Sequence, residues 1–160
     1  MPEAVLPRSA NADANDNDNT EVPDASVRHV FVYGTLRRGG DNDITRLLPA
    51  PRFVGQAKVC GVMHDLGAYP GVILGGGKAA TDIVGEVFAI EPRLERILDE
   101  IEELYPQQRD EYFKRHIRVH TSGVGLTCIV YEINPAYAFG KPVIASGDWL
   151  ENRTSLTGPH

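Results

Sequence analysis

The strongest constraint on the fold is an uninterrupted run of β-forming residues near position 30. Residues 30–33 read Val-Phe-Val-Tyr, which places apolar or aromatic side chains on both faces of a strand. Such a strand is stable only when both of its faces are covered. Gly34 ends the run and allows a sharp turn or the close approach of another group. Backbone amides beyond the strand have no ladder partner, so they can point at an anion or a carbonyl oxygen.

Size, composition and charge predict one soluble domain with tails. The chain has 160 residues, of which 42% are hydrophobic, and a net charge of −6. The acidic balance, with no basic stripe, argues against a nucleic-acid partner. No apolar run is long enough to span a membrane, and no secretory signal opens the chain, so we expect a cytoplasmic protein. Cys60 and Cys128 lie far apart among apolar residues, which predicts two buried free thiols.

The domain boundaries follow from changes in composition. Residues 1–26 are rich in Asn and Asp and nearly lack bulky apolar groups, so we predict a disordered acidic tail. The ordered domain is predicted to cover residues 27–150. Residues 151–160 are predicted to form a polar C-terminal tail.

Several strands and one dominant helix are expected within this domain. The helix covers residues 92–104, a short helix is possible over 41–48, and the chain after Pro135 is predicted to be irregular. Because β-α-β alternation is rare, the pattern favours an α+β fold with a compact or closed β-sheet flanked by helices. Besides the run near position 30, strands are predicted over residues 53–63, 72–74, 83–90, 112–121 and 126–133.

Neither a phosphate loop nor a metal site is expected. The Gly-rich stretch ending at Lys78 lacks the Ser or Thr of a phosphate loop, since position 79 is Ala. His116 and His120 have a spacing that chelates zinc on a helix, but their segment has a β pattern. Four residues of strand span roughly 13 Å, which is too far for two ligands of one ion.

The predicted helix carries several carboxylates that could serve in proton transfer. Glu103 points away from the apolar stripe and Asp99 also lies well away from it, whereas Glu102 and Glu95 share one edge and Glu100 borders the other. A carboxylate at such an edge can be partly desolvated, which raises its pKa. Periodicity permits Glu102 and leaves Glu95 and Glu100 equally possible. The stripe itself consists of Leu94, Ile97, Leu98, Ile101 and Leu104.

Glu86 is a second candidate of a different kind. It alternates with Val84 and Phe88 in a strand that is apolar on both faces, so its carboxylate is expected to be buried and to need a partner. A core carboxylate that holds backbone amides or an arginine is favoured over a catalytic one.

A series of motifs in one order resembles the gamma-glutamylcyclotransferase-like family, which includes the gamma-glutamylamine cyclotransferases. The resemblance covers about residues 28–150. The motifs are Phe-Val-Tyr-Gly-Thr-Leu at 31–36, Gly-Ala-Tyr-Pro-Gly at 67–71, Gly-Glu-Val-Phe at 85–88, Leu-Asp-Glu-Ile-Glu at 98–102 and Ser-Gly-Asp-Trp at 146–149.

The resemblance implies a small, closed or nearly closed, mixed β-barrel with flanking helices. It also implies conversion of a small gamma-glutamyl amine or amino acid into 5-oxoproline and a free amine, with Glu102 as general base and acid. Tyr112 is implied to lie near the site. No cofactor or metal is needed, because nucleophile and electrophile belong to one molecule. The residues implied to hold substrate, largely through backbone groups, are Tyr33, Gly34, Thr35 and Leu36.

Two features depart from the family pattern. Glu103 stands where the family has Gly, and the connection from Glu102 to Tyr112 is longer. We expect this connection to rim the pocket. Two other interpretations stay open: a non-catalytic domain of the same fold that binds a metabolite or protein, and an amide hydrolase. The sequence does not define the oligomeric state.

Overall fold

One curled sheet of six strands forms the framework within the described residues, 27–102 and 110–157, of the computed structural model. The strand order is β3-β2-β4-β1-β6-β5. β1 runs parallel to β6, and the other neighbouring pairs are antiparallel. The sheet is therefore mixed, as expected. The strands are β1 (Arg28–Val32), β2 (Arg52–Asp65), β3 (Pro70–Leu74), β4 (Thr81–Ile90), β5 (Tyr112–Thr121) and β6 (Val124–Ile133).

The sheet curls until strands that are not neighbours touch. The Thr121 hydroxyl on β5 donates to the carbonyl of Gln56 on β2 at 2.8 Å. Gly71 on β3 lies so close to Ile133 on β6 that an added Cβ would be 2.6 Å from the Ile133 Cβ. These contacts confirm the predicted barrel-like α+β fold.

Strand β1 is apolar on both faces, and each face packs into a different hydrophobic cluster. Val30 and Val32 belong to the cluster that contains Leu94 of the first helix. The side chain of Phe31 joins a second cluster, here called the Trp149 cluster because it also contains that residue. Because successive side chains of a strand point to opposite faces of the sheet, this strand contributes to both clusters.

The helices differ from the predictions at their ends. Helix α1 (Pro92–Ile101) begins where it was predicted and ends just before its C-cap residue Glu102, and residues 103–104 lie outside the described residues. The predicted helix over 41–48 is only a 3₁₀ turn, Ile44–Arg46. After Pro135 the chain forms a short helix α2 (Pro135–Ala138).

The prediction of a polar tail over residues 151–160 is wrong for its first part. Helix α3 (Trp149–Thr157) continues into it. Trp149 is only 2% exposed and anchors the helix in the Trp149 cluster. The Asp148 carboxylate accepts from the Glu151 amide at 3.1 Å and so caps the first turn. The predicted tail over residues 1–26 lies outside the described residues.

The two cysteines have different environments. Cys128 is buried, as predicted, and its burial raises the pKa of the thiol to about 11. Cys60 is exposed, which contradicts the prediction, because its alternation on β2 places it on the outer face. His116 and His120 are both exposed on β5.

Metal sites and membrane-spanning helices were sought in residues 27–102 and 110–157. No group of side chains there is arranged to hold a metal ion. No helix in the same ranges is both long enough and apolar enough to cross a bilayer.

Candidate active site

A cavity of about 250 Å³ opens where β1 ends, between the turn before β3 and the end of helix α1. Its size suits a small metabolite rather than a polymer. All the site residues that the family resemblance implied line this cavity, although they come from separate elements. These residues are Tyr33, Gly34, Thr35, Leu36, Glu102 and Tyr112.

Residues 33–36, here called the glycine loop, form a wall with a defined backbone. The carbonyl oxygens of residues 34–36 accept hydrogen bonds of 2.8–3.0 Å from backbone amides later in the chain. The N–H groups of the same residues donate to no backbone carbonyl in these bonds among the described residues. The N–H groups of this wall are therefore available to a ligand. The donors to these carbonyls are the amides of Arg37, Asn42 and Ile44.

Gly34 is required by close approach and not by its φ angle. A Cβ added there would lie 2.7 Å from Cγ and 2.9 Å from Cδ of Pro70. Contacts this short force a shift of the backbone. The glycine thus lets the loop pack directly against the start of β3.

Glu86 anchors the glycine loop from behind. Its side chain is buried, accepts from the Arg38 amide at 3.0 Å and pairs with Arg37 Nε at 3.4 Å. The other side of the Arg37 guanidinium donates to Asp148 at 2.9 Å. The prediction of a core carboxylate holding an amide and an arginine is confirmed. Glu86 does not line the cavity.

Two buried tyrosines fix the inner wall through their hydroxyl groups. The Tyr33 hydroxyl donates to the carbonyl of Tyr131 at 2.6 Å and accepts from the amide of Val72 at 3.2 Å. The Tyr112 hydroxyl donates to the carbonyl of Pro70 at 2.9 Å. Both rings are therefore held by backbone groups of other strands.

The pKa values of both tyrosines lie well above the ordinary value of a phenol. Burial is the main cause for Tyr33, and the nearby charge of Glu102 adds to it. Burial is also the main cause for Tyr112, followed by its electrostatic interactions with Tyr33 and Glu102. Both phenols therefore stay neutral hydrogen-bond donors across the physiological pH range.

Glu102 follows the last residue of helix α1 and enters the cavity from there. Its amide donates to the Leu98 carbonyl at 2.9 Å, and its side chain is half-buried. The two alternatives on the same helix lie elsewhere, since Glu95 is paired with Lys114 and Glu100 is exposed. The tertiary structure thus distinguishes three carboxylates that periodicity left equivalent.

Asp99 is a residue that sequence reasoning misplaced. It is only 3% exposed, although it was expected to lie away from the apolar stripe. The Tyr131 hydroxyl donates to one of its oxygens at 2.7 Å, and Lys114 donates to the other at 3.0 Å. Strands β5 and β6 supply these partners, so nothing within the helix sequence signals the burial.

Further cavity residues were not nominated by the sequence. Asp41 and Glu111 add carboxylates, and Tyr69 and Tyr131 add phenol rings. The only signal was indirect, because the long connection before Tyr112 was expected to rim the pocket. Glu111 and Asp110 are its described end, and residues 103–109 lie outside the described residues.

The sequence profile of the gamma-glutamyl cyclotransferase, AIG2-like family matches residues 30–151. The chain belongs to this family. It is 34% identical over 123 residues to the bovine gamma-glutamylaminecyclotransferase, and the match covers 70% of this chain and 69% of that protein. The family assignment suggested by the motifs is therefore confirmed.

Solved structures of the gamma-glutamyl cyclotransferase fold resemble this chain closely in architecture. YkqA from Bacillus subtilis superposes with a TM-score of 0.65 at 27% identity, over 84% of this chain and 44% of that one. The chain thus spans less than half the length of YkqA. An AIG2-like protein from mouse superposes with a TM-score of 0.60 at 24% identity, over 75% of this chain and 87% of that one. The mouse protein supports the fold alone.

Proposed function

We propose that this chain is a gamma-glutamyl cyclotransferase that converts a gamma-glutamyl amine or gamma-glutamyl amino acid into 5-oxoproline and the free amine. One observation carries the proposal. Glu102 and the glycine loop, which are far apart in the sequence, line the same cavity. A proton-transfer group thus lies across one small chamber from backbone amides that can bind an anion.

The reaction is an intramolecular aminolysis. The α-amine of the glutamyl group attacks its own γ-carbonyl carbon, a carbon–nitrogen bond closes the five-membered ring, and the original amide carbon–nitrogen bond breaks. The attacking nitrogen loses a proton and the leaving nitrogen gains one. In this mechanism the Glu102 carboxylate takes the first proton and delivers it to the leaving amine, so it ends the cycle unchanged.

The remaining cavity residues bind and orient the substrate. The N–H groups of residues 34–36 hold the substrate carboxylate or the oxyanion that develops on the γ-carbonyl. The rigid wall of Tyr33 and Tyr112 supports the folded shape that brings amine and carbonyl together. Holding the reacting atoms in this geometry lowers the barrier by several kcal/mol.

Replacement of Glu102 tests this proposal. Glu102→Gln removes the proton acceptor but keeps the shape, so we expect substrate binding by calorimetry to persist and 5-oxoproline formation to fall about 100- to 10,000-fold. Glu100→Gln, an exposed change on the same helix, is the matched control and should retain activity.

Product analysis by mass spectrometry separates this function from its alternatives. Undiminished 5-oxoproline formation by Glu102→Gln would contradict the role of this residue. Free glutamate in place of 5-oxoproline would indicate an amide hydrolase. Binding with no product in the native chain would indicate a non-catalytic domain.

A further inference from the structure

A second concave surface, a groove of about 740 Å³, lies where strands β2 and β5 approach each other without pairing. At one end the strands touch through the hydrogen bond from the Thr121 hydroxyl to the Gln56 carbonyl. Near the other end the Leu74 amide donates to the Glu132 carboxylate at 2.9 Å. We call this surface the basic groove. Its lining includes Lys58, Cys60, Arg115, His116, Arg118 and His120.

Strand β2 turns unused backbone groups toward the basic groove. The carbonyl of Gln56 accepts from the Thr121 side chain, on the side of β2 away from β4. The carbonyl of Cys60 accepts from the Gly75 amide at 3.0 Å on the same side. Alternate residues of a paired strand direct their N–H and C=O groups to one side. Lys58 lies midway between these two residues, so its backbone groups also face the groove.

Strand β5 contributes the opposite edge. It is the last strand of the sheet and pairs with β6 alone. The Asn134 amide donates to the Glu111 carbonyl at 2.7 Å, which continues this pairing. The odd-numbered residues of β5 therefore bond to β6, and the backbone groups of His116 and Arg118 turn outward. Two open strand edges thus border one groove, and an extended segment is the shape that such edges accept.

The side chains of the basic groove have an excess of positive charge. Lys58 and Arg118 are exposed and form no ion pair with another described residue. One carboxylate, that of Glu132, is present among the described lining residues, and it is already paired with Arg115 at 2.8 Å. Free cations beside open strand edges favour an occupant that is both extended and acidic.

Residues 13–24 of the same chain carry the matching charge, with five carboxylates and no cationic side chain. The ten to fifteen residues between Arg28 and positions 13–18 span roughly 33–50 Å when extended. That is about the diameter, roughly 36 Å, of a domain of this size. A second copy that paired β5 with β5 would instead bring like charges together. Length and charge therefore both favour the chain's own acidic segment.

We propose that the acidic segment of residues 13–24 docks in the basic groove of its own chain. It lies extended, with its carboxylates against Lys58 and Arg118 and its backbone along the open edges of β2 and β5. Tethering compensates for weak individual contacts, because it keeps the segment at a high effective concentration. The docked segment covers an edge strand with which another chain could otherwise pair. The basic groove shares no lining residue with the cavity, so this inference is independent of the proposed function.

The thiol of Cys60 reports on occupancy of the basic groove. Cys60 is exposed there, whereas Cys128 is buried and its pKa is raised to about 11. An uncharged maleimide should therefore modify Cys60 first. In a full-length variant that has amides in place of the five carboxylates, we expect this rate to rise at least about threefold at low salt. The five replacements are Asp13→Asn, Asp16→Asn, Asp18→Asn, Glu21→Gln and Asp24→Asn.

Salt and amide hydrogen exchange test the same contact in the unaltered chain. About 0.5 M salt should bring its maleimide rate close to that of the neutralised variant, because ions screen exposed pairs. The backbone N–H groups of Lys58 and Arg118 should exchange more slowly in the native chain than in the neutralised variant. This second measurement does not depend on the reactivity of the thiol.

Two single variants assign the effect to the basic groove. Arg118→Gln should raise the Cys60 modification rate. Arg93→Gln removes the same charge from helix α1, outside the groove, and should leave the rate unchanged. Equal maleimide and exchange rates in the native chain and the neutralised variant would overturn the proposal. Protection that disappears on about 100-fold dilution would place the segment in another copy and would also overturn it.

Discussion

Glu86 is a buried residue that holds the chain just beyond the glycine loop. It lies outside the cavity, yet it accepts from the Arg38 amide and pairs with Arg37, just beyond the loop. Both charged side chains are almost fully buried, at 4% and 7% exposure. A buried charge that loses its partner is strongly destabilising, because water cannot replace the lost interaction.

We predict that Glu86→Gln lowers the free energy of unfolding by about 3 kcal/mol. The amide keeps an acceptor for the Arg38 N–H but removes the charge that faces Arg37. Urea denaturation measures the effect. Glu91→Gln breaks an exposed pair with Arg93 and should cost less than about 0.5 kcal/mol. Equal costs for the two variants would contradict the assigned role of Glu86.

At the scale of elements, the end of helix α1 determines where Glu102 lies. Leu94 and Leu98 pack this helix into the core, and the buried Asp99 bonds it to strands β5 and β6. Glu102 follows directly as the C-cap residue. Its position in the cavity therefore depends on polar contacts made by the preceding turn.

We predict that Asp99→Asn lowers kcat about tenfold with little change in KM, because loosening this turn displaces Glu102 from the reacting atoms. Asn still accepts from the Tyr131 hydroxyl but loses its charge opposite Lys114. Steady-state kinetics on a gamma-glutamyl amide measure the effect.

The pH dependence of Lys114 provides a second readout of the same contact. Burial alone would lower the pKa of Lys114, but its hydrogen bonds with Glu95 and Asp99 outweigh burial and raise it. The stabilisation from this pair is therefore present below the ordinary lysine pKa and is lost as the pH rises through the raised one. In Asp99→Asn the free energy of unfolding, measured by urea denaturation at increasing pH, should fall less at alkaline pH than in the native protein. An equal fall in both proteins would argue against the contact between Lys114 and Asp99.

At the scale of the whole molecule, the cavity exists because the curl of the sheet brings the end of β1 against the start of β3. Gly34 and Pro70 meet there without room for a side chain on the glycine. The contact joins two strands that are not neighbours in the sheet. It therefore reports on the closure of the barrel rather than on either loop alone.

We predict that Gly34→Ala destabilises the protein by about 1–3 kcal/mol, since the new methyl group overlaps the Pro70 ring. Pro70→Ala removes Cγ and Cδ, the two atoms in question. The double variant should recover at least half of the loss caused by Gly34→Ala, and a double-mutant cycle on urea unfolding measures this coupling. Additive costs would mean that the strain arises elsewhere.

The sequence by itself determined most of the framework. Alternation of apolar residues predicted the strands, the 3.6-residue stripe predicted helix α1, and Glu86 was expected to be buried because its strand is apolar on both faces. These features depend on local periodicity, which is written in one stretch of chain. The ordered motifs predicted the family, which the profile match over residues 30–151 confirmed.

The tertiary structure decided which groups from other elements lie opposite each face of a helix or strand. The periodicity of the sequence carries no information about these partners. It placed Glu102 in the cavity while Glu95 met Lys114, and it buried Asp99 against partners from two distant strands. It also provided the buried cluster in which Trp149 anchors helix α3. Burial and pairing arise between segments far apart in the chain, so their energies appear only once the sheet has curled.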